Sequence, residues 1–138
     1  VDVPLSMIRK FKESYSYVGE AESGARVKVP VDGKPRKIEI GKQVGEACNQ
    51  LLQEIFGSIK KVIAVASPQS VFPMLQNIIL TGGGSRIRNI DQELQRMLID
   101  DGYEDPEVSI SSREAKPFVA IGAMKVAKAA REDQWVKP

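Results

Sequence analysis

The chain has no histidine and a single cysteine, and these two shortages exclude several kinds of chemistry. Without imidazole, these residues cannot build a catalytic triad that uses histidine, nor the usual zinc, iron and copper sites. A lone cysteine cannot form an internal disulfide. Cys48 stands on the apolar face of a predicted helix, which indicates a buried packing role rather than a reactive thiol. Such sparse cysteine favours a reducing, cytoplasmic location.

Long apolar runs and strong net charge are also missing. No segment approaches the ~20 apolar residues that a membrane-spanning helix needs. A formal net charge of +2 is too small to indicate nucleic-acid binding, and no basic run is interleaved with aromatic residues. The 138 residues, 42% of them hydrophobic, fit one globular domain. We therefore expect no nucleic-acid partner and only indirect membrane contact.

Hydrophobic periodicity predicts a chain rich in helices. Apolar residues recur at helical spacing over residues 4–18, 42–66, 89–98 and 117–131. A short further helix is predicted to open at Pro68, behind a serine cap at Ser67. In the helix over 89–98, Asn89 and Gln92 stand at the spacing of a capping box. The helix over 42–66 carries one apolar stripe, formed by Val44, Cys48, Leu51, Leu52, Ile55, Ile59, Val62 and Ile63.

Strand signals are fewer. Polar and apolar residues alternate on either side of Asp32-Gly33, which predicts a hairpin, and the flanking Pro30 and Pro35 confine it to a sheet edge or a small subdomain. Residues 77–81 predict a strand covered on both faces, and residues 107–111 predict a second short strand. Two strands outside the hairpin cannot supply a core for four helices. We therefore expect another segment of the same polypeptide, or a partner chain, to complete the sheet.

The first residue supports the same expectation. The chain begins with Val1 rather than methionine and shows no signal-peptide pattern, so we expect it to be a piece of a longer protein.

Three consecutive glycines follow the predicted strand in the stretch NIILTGGGSRIRNID, residues 77–91. Because glycine lacks Cβ, Gly82, Gly83 and Gly84 let a flat ring or a phosphate approach the main chain closely. Amides near the start of the following helix favour an anion or the polar edge of a heterocycle. The stretch is neither the dinucleotide-binding fingerprint nor a P-loop, since the lysine-serine/threonine ending is absent. The other interpretation is a tight strand-to-helix crossover, and the triplet alone does not separate the two.

Three segments together resemble the actin superfamily of ATPases in order and spacing. NIILTGGGSRIRNID resembles the family's adenosine motif, a strand, glycine turn and helix that hold the nucleoside. IRKFKESYSYVG (residues 8–19) is similar to the segment that forms the other wall of the adenine pocket, and SREAKPFVAIGAMKVA (residues 112–127) to the family's C-terminal stretch. VDGKPRKIEI (residues 31–40), followed by a long helix, resembles bacterial actins of the MreB type and especially of the MamK type.

The resemblance implies an α/β chain with the actin-like, ribonuclease H-like fold. It would be the C-terminal portion of that fold only: an incomplete sheet with helices plus a small hairpin subdomain. Residues 1–40 would belong to a small outer subdomain and residues 41–116 to an inner subdomain that holds the adenosine motif. The helix of residues 117–138 would pack on the N-terminal half of the full-length protein, which would leave Val119, Ala123, Val126 and Ala130 bare in this chain.

ATP or ADP is the cofactor that the resemblance implies, bound at residues carried over one by one. Arg9, Lys12 and Glu13 would lie against the adenine and ribose, with Glu13 accepting hydrogen bonds from the ribose hydroxyls. Taken alone, Lys12 and Glu13 are typical of two solvated charges. Lys116 would lie at the outer edge of the base, although a lone lysine before a proline is by default a surface residue.

The glycine motif supplies the rest of the implied site. The backbone platform would consist of Gly82, Gly83 and Gly84 with Ser85. Arg86 and Ile87 fall where the family places side chains beside the base, and a guanidinium plane can stack on adenine. Tyr15 and Tyr17 are expected to pack in the core rather than on the ligand.

The phosphate-binding loops of the family have no counterpart in this sequence. The family binds phosphates and Mg²⁺ through two glycine hairpins with acidic residues, and both precede the region matched here. Asp100, Asp101, Glu104 and Asp105 are instead typical of a solvated turn. We therefore expect no catalytic residue and no metal ligand in this chain, which by itself would not hydrolyse ATP.

The implied function is that of a filament-forming bacterial actin in the cytoplasmic cytoskeleton, and the MamK-type resemblance implies that it would organise magnetosome chains. The full-length protein would self-associate, and the hairpin and the acidic turn are candidate contact surfaces. The alternatives are a non-polymerising ATPase of the same superfamily, such as a chaperone-type ATPase or a sugar kinase, and a short regulatory paralogue that binds full-length subunits.

Overall fold

The computed structural model describes residues 3–20, 25–111, 116–131 and 134–135, with Lys116 and Pro117 described by their backbone alone. The helices are α1 (Leu5–Tyr15), α2 (Gly41–Val65), α3 (Pro68–Leu75), α4 (Ile90–Asp100) and α5 (Lys116–Ala129). The strands are β1 (Arg26–Val31), β2 (Lys34–Glu39), β3 (Ile78–Leu80) and β4 (Val108–Ile110). The predicted order of elements is confirmed, with boundaries moved by at most about three residues at each end.

The hairpin of β1 and β2 forms around Asp32-Gly33 as predicted. Both residues have positive φ, 51° and 75°, which a two-residue hairpin turn of the mirror-image kind requires and which aspartate and glycine tolerate. Val31 pairs with Lys34 next to the turn, and Pro30 faces Pro35 in the following pair. Val27 and Val29 are buried, whereas β2 is exposed along its length except at Ile38, so the hairpin has one apolar strand and one charged strand.

β3 and β4 form a separate parallel pair, with Ile79 opposite Ser109. Ile78 and Leu80 pack against the core, but the Ile79 side chain on the other face is 61% exposed. The prediction that this strand is covered on both faces is therefore wrong for the part of the chain that the structure describes. As the sequence predicted, only two strands outside the hairpin are found among the described residues.

The core lies between α2, α4 and the β3–β4 pair. Ile90, Leu94 and Leu98 of α4 are almost fully buried at helical spacing, and Cys48 and Leu52 of α2 face them. The predicted burial of Cys48 is confirmed. The predicted stripe of α2 is only partly buried, because Leu51 and Val62 remain exposed. A cavity of about 550 Å³ opens between α2 and α3, lined by Ile59, Val62, Ile63 and Met74 among others.

Two predicted helix caps do not form. Asn89 has φ 63° and ψ 12°, a left-handed conformation, and its side chain makes no capping hydrogen bond; the capping box with Gln92 is therefore wrong. The start of α4 is held by the backbone instead, where Glu93 N–H donates to the Asn89 carbonyl at 2.9 Å. Ser67 precedes α3, but its hydroxyl pairs with the Ser70 hydroxyl at 2.7 Å rather than with a backbone amide.

The left-handed Asn89 gives a direct stability test. Asn89→Ala is expected to destabilise the chain by about 1 kcal/mol, because the left-handed backbone conformation is less favourable for alanine than for asparagine. Asn89→Gly, which removes the same side chain but favours positive φ, is expected to be neutral or stabilising. Urea denaturation of the three chains distinguishes the two causes. Equal losses in both variants would instead identify a side-chain cap.

α5 presents apolar residues to solvent. Val119 and Val126 are 79% and 72% exposed, and Phe118 and Met124 are about half exposed. The expectation of a bare apolar face at Val119, Ala123 and Val126 is confirmed; Ala130, which follows the helix, is half-buried. Among the described residues, no helix is both long and apolar enough to cross a membrane.

The acidic turn that begins at Asp100 is held by ion pairs at its first two residues, Asp100 and Asp101. Lys60 Nζ lies 2.8 Å from Asp101 Oδ2 and also donates to Oδ1 at 3.0 Å, and it stands 5.2 Å from the centre of the Phe56 ring. The hydrogen bond to Asp101 raises the pKa of Lys60 above its usual range. Asp100 accepts a hydrogen bond from Arg96 Nη1 at 3.1 Å. The turn is therefore solvated, as expected, but its start is pinned to α2 and α4.

Candidate functional site

The glycine triplet forms a tight turn directly after β3. Gly82 has φ 80° and ψ −170°, a backbone conformation open almost only to glycine. Gly83–Arg86 follow as one turn of 3-10 helix. Ser85 is buried, and its hydroxyl donates to the Gly82 carbonyl at 2.8 Å, which closes the turn. The α-helix begins after this turn, at Ile90, one residue from its predicted start at Asn89.

Only one of the three glycines is required by the fold that the structure describes. The backbone of Gly82 explains its lack of a side chain. Neither Gly83 nor Gly84 has positive φ, and a Cβ placed on either residue would meet no described atom within 4 Å. A Cβ at either position would therefore meet no clash with the described residues. The packing of the described residues therefore does not require glycine at Gly83 or Gly84.

The segment that follows α1 is hydrogen-bonded to the segment that follows the glycine turn. Val18 N–H donates to the Arg88 carbonyl at 3.1 Å, and Arg88 N–H donates to the Ser16 carbonyl at 3.2 Å. These bonds form an isolated parallel bridge at Tyr17 and Arg88. Two segments about 70 residues apart in sequence thus lie side by side. The structure brings together the two stretches that the sequence analysis assigned to opposite walls of one pocket.

The segment after α1 is also anchored on α2. Tyr17 is buried, as expected, and its hydroxyl donates to the Gly41 carbonyl at 3.2 Å. A Cβ on Gly45 would lie 2.3 Å from that hydroxyl oxygen, so only glycine leaves room for the ring. Val18 has no exposed surface and lies in the core cluster. Tyr15, by contrast, is only half-buried.

Arg9, Lys12 and Glu13 share one face of α1, since they stand at positions i, i+3 and i+4. All three side chains are exposed. Among the residues that the structure describes, none of the three is in a hydrogen bond or ion pair through its side chain. Their side chains are therefore free to contact a ligand.

The remaining predicted site residues differ in their surroundings. Arg86 is exposed at the last position of the 3-10 turn. Ile87 is 9% exposed and packs in the core cluster, so it offers little surface to a ligand. Lys116 is the first residue of α5, and its side chain lies outside the described residues.

Sequence reasoning missed the residues that join the two walls. Ser16, Tyr17 and Arg88 carry no recognisable motif, because a single bridge leaves no periodic pattern. The nearest signal was the apolar pair Tyr17-Val18, which begins two residues after the end of α1. Metal-binding groups are also not apparent: the described residues include no cluster of three or more histidine, cysteine, aspartate or glutamate side chains suited to a metal ion.

Comparison with known proteins gives a consistent family. The family model described as MreB/Mbl protein matches residues 10–134. The chain is 28% identical over 135 residues to a MamK-like protein of Paramagnetospirillum magneticum strain AMB-1, and the match covers 98% of this chain and 39% of that protein. It is 35% identical over 79 residues to the actin-like protein MamK of Magnetospirillum gryphiswaldense strain MSR-1, covering 57% of this chain and 22% of that protein.

Solved structures of MamK share the fold. A double helical MamK filament superposes with a TM-score of 0.82 and 27% identity over 95% of this chain and 39% of that chain. A non-polymerising MamK mutant bound to AMPPNP superposes with a TM-score of 0.79 and 26% identity over 93% of this chain and 38% of that chain. The chain thus spans about two fifths of the length of these structures.

Proposed function

The chain belongs to the MreB/Mbl family of actin-like proteins, and from this premise we propose that it supplies the adenosine-binding side of an ATP pocket in a filament-forming bacterial actin. The observation that carries the proposal is the bare main chain at Gly83 and Gly84, which no contact among the described residues requires. Adenine would rest on this main chain. A solved MamK structure bound to AMPPNP supports nucleotide binding in the family.

The exposed face of α1 would form the second wall. The bridge at Tyr17 and Arg88 supports this arrangement, because it fixes the end of α1 beside the glycine turn. Glu13 would accept hydrogen bonds from the ribose hydroxyls, and a carboxylate suits two vicinal donors. Arg9 and Lys12 would lie along the same edge of the nucleoside.

Arg86 and Ile87 would have different parts in the pocket. The exposed Arg86 would stack its guanidinium plane on the base. Ile87 would act through its place in the core, which fixes the direction in which the turn leaves β3. Ser85 would hold the turn closed through its bond to Gly82. Lys116 would contact the outer edge of the base, as the family resemblance implies.

The triphosphate and Mg²⁺ would be held by polypeptide beyond these 138 residues. The sequence contains no glycine hairpin with acidic residues of the kind that the family uses for phosphate. ATP hydrolysis is accordingly proposed for the full-length protein and not for this chain. The division into an outer part (residues 1–40), an inner part (41–116) and a C-terminal helix that packs on the N-terminal half is part of the same proposal.

Polymerisation of the full-length protein is the second part of the proposed function. Its support is the similarity to a double helical MamK filament over 95% of this chain. The relatives named above are a MamK-like protein and a MamK protein, which favours a filament over a chaperone-type ATPase or a sugar kinase. We propose that the filament lies in the cytoplasm and, as the MamK-type resemblance implies, along magnetosomes.

A conservative change at Glu13 tests the ribose contact. In the full-length protein, Glu13→Gln is expected to weaken ATP binding by about tenfold, because a charged acceptor contributes roughly 1.4 kcal/mol more than a neutral one. The measurement is calorimetric titration with AMPPNP. Glu54→Gln, on an exposed turn of α2, is the matched control and should leave affinity unchanged. Wild-type affinity in both variants would remove Glu13 from the site.

A further inference from the structure

The residues that follow α1 are buried, although α1 itself is not. Ser16, Tyr17 and Val18 are all buried, whereas none of the 11 residues of α1 is. A surface helix usually keeps its direction by packing an apolar stripe on the core. Because α1 has no buried stripe among the described residues, its direction depends largely on the residues that come directly after it. We call residues 16–19 the anchor segment.

The last turn of α1 is tied to the anchor segment by two hydrogen bonds to one carbonyl group. Ser16 N–H donates to the Lys12 carbonyl at 3.1 Å, and the Ser16 hydroxyl donates to the same oxygen. Glu13 directly follows Lys12, so it stands in the turn that these two bonds close. A displacement of the anchor segment would therefore move Glu13 with it.

Tyr17 fixes the anchor segment on the first two turns of α2. Its hydroxyl donates to the Gly41 carbonyl at 3.2 Å, and the residue is 4% exposed. A Cβ on Gly45 would lie 2.3 Å from the hydroxyl oxygen and 2.6 Å from ring carbon Cζ. Gly41 and Gly45 are both buried and stand at i and i+4, on the same face of α2. Their lack of side chains lets the tyrosine lie directly on the helix backbone.

A second contact with α2 holds the end of the anchor segment. Gly19 N–H donates to Asn49 Oδ1 at 3.3 Å, and Asn49 stands four residues after Gly45 on the same helix. Gly19 has a φ of 90°, and a Cβ there would lie 3.0 Å from Glu93 Oε1 of α4. The anchor segment is thus held between α2 and α4, with little room to shift.

From this chain of contacts we infer that Tyr17 is a positioning residue that sets the ribose specificity of the nucleoside site. The inference rests on the proposed function, in which Glu13 accepts hydrogen bonds from the ribose hydroxyls. Tyr17 is buried, so it acts on the nucleotide through Glu13 and not by contact. Its hydroxyl fixes the distance of the anchor segment from α2, and thereby the place of Glu13 beside the glycine turn.

Ribose is the part of the nucleotide that depends most on this distance. Hydrogen bonds weaken steeply when their length or angle departs from the optimum. A ribonucleotide offers Glu13 two vicinal hydroxyl donors, whereas a 2′-deoxyribonucleotide offers one. A small displacement of Glu13 is therefore expected to weaken the ribonucleotide more, which lowers the preference for ribose.

Two substitutions in the full-length protein disturb the contact from opposite sides. Tyr17→Phe removes the hydroxyl and keeps the ring, whereas Gly45→Ala keeps the hydroxyl and displaces the ring. The matched controls are Tyr103→Phe, a half-buried tyrosine after α4, and Gly57→Ala, an α2 glycine with open space around it. Calorimetric titration measures the dissociation constants of ADP and 2′-deoxy-ADP, and their ratio reports the preference for ribose.

The wild type is expected to bind ADP about tenfold more tightly than 2′-deoxy-ADP, the effect of one charge-assisted hydrogen bond. Tyr17→Phe is expected to reduce this preference about threefold, in proportion to the neutral hydrogen bond that it removes. Gly45→Ala should reduce it further, and both controls should keep the wild-type preference. Since Gly45→Ala also strains the core, the result for Tyr17→Phe decides the test.

A double-mutant cycle separates positioning from packing. If Tyr17 acts through Glu13, adding Tyr17→Phe to Glu13→Ala should change the preference no further. An unchanged preference in Tyr17→Phe, an equal loss of affinity for both nucleotides, or the same change in the Glu13→Ala background would overturn the inference. A wild type that binds ADP and 2′-deoxy-ADP equally, or binds neither, would instead overturn the proposed ribose contact itself.

Discussion

Gly83→Val in the full-length protein is expected to lower ATP affinity at least about a hundredfold, or roughly 2.7 kcal/mol, while leaving the free energy of unfolding almost unchanged. The expectation follows from the space around the residue. A Cβ on Gly83 meets nothing within 4 Å among the described atoms, and its φ is not positive, so the fold accepts a side chain. A valine there would instead occupy the surface on which we place adenine. Calorimetric titration with AMPPNP measures the affinity, and urea denaturation measures the stability.

Two other glycines serve as controls for this experiment. Gly82→Ala is expected to destabilise the fold by about 1–3 kcal/mol, because its φ of 80° is unfavourable for alanine. Gly57→Ala, in the middle of α2 with open space around it, is expected to stabilise the helix by about 0.5–1 kcal/mol and to leave ATP binding unchanged. If Gly83→Val binds nucleotide like the wild type, adenine does not lie on the glycine turn.

Leu94→Ala is expected to give the largest loss of stability, about 2–5 kcal/mol, through the cavity left in the core. Leu94 has no exposed surface and lies in the centre of the cluster between α2, α4 and β3. The loss is a large fraction of the 5–15 kcal/mol that is typical of a folded domain. Urea denaturation of the isolated chain measures it.

Ile79→Ala is the matched control for Leu94→Ala. It removes a similar volume from a side chain that is 61% exposed, so its cost in the isolated chain should stay below about 1 kcal/mol. In the full-length protein the same change is expected to cost more, because additional polypeptide would cover β3. Equal losses for the two substitutions in the isolated chain would contradict the placement of the core.

Local patterns were predictable wherever the residues themselves determine the conformation. Asp32-Gly33 specified the hairpin because both residues accept positive φ. The helical spacing of Ile90, Leu94 and Leu98 marked the buried face of α4. The predicted capping box at Asn89 was wrong because such a box requires a cap residue with an extended backbone. Asn89 instead has a left-handed conformation.

The exposed sides of the elements were harder to predict, since burial depends on what packs against them. Ile79 and Val62 have the composition of core residues, yet both are exposed among the described residues. For the candidate site, the sequence predicted the glycine turn and α1 as two walls, and the structure places the segments that follow them side by side. It did not reveal the 3-10 turn, nor the hydrogen bonds of Ser16 and Val18 with Arg88, because those depend on contacts between distant segments.

The bridge at Tyr17 and Arg88 has a mechanical consequence for any cleft closure. Separating the end of α1 from the glycine turn would break two main-chain hydrogen bonds, at roughly 1 kcal/mol each. It would also pull Val18 out of the core and Tyr17 away from Gly41. The segments around Tyr17 and Arg88 are therefore expected to move as one rigid unit. Any hinge that closes a cleft around a nucleotide then has to lie elsewhere in the polypeptide.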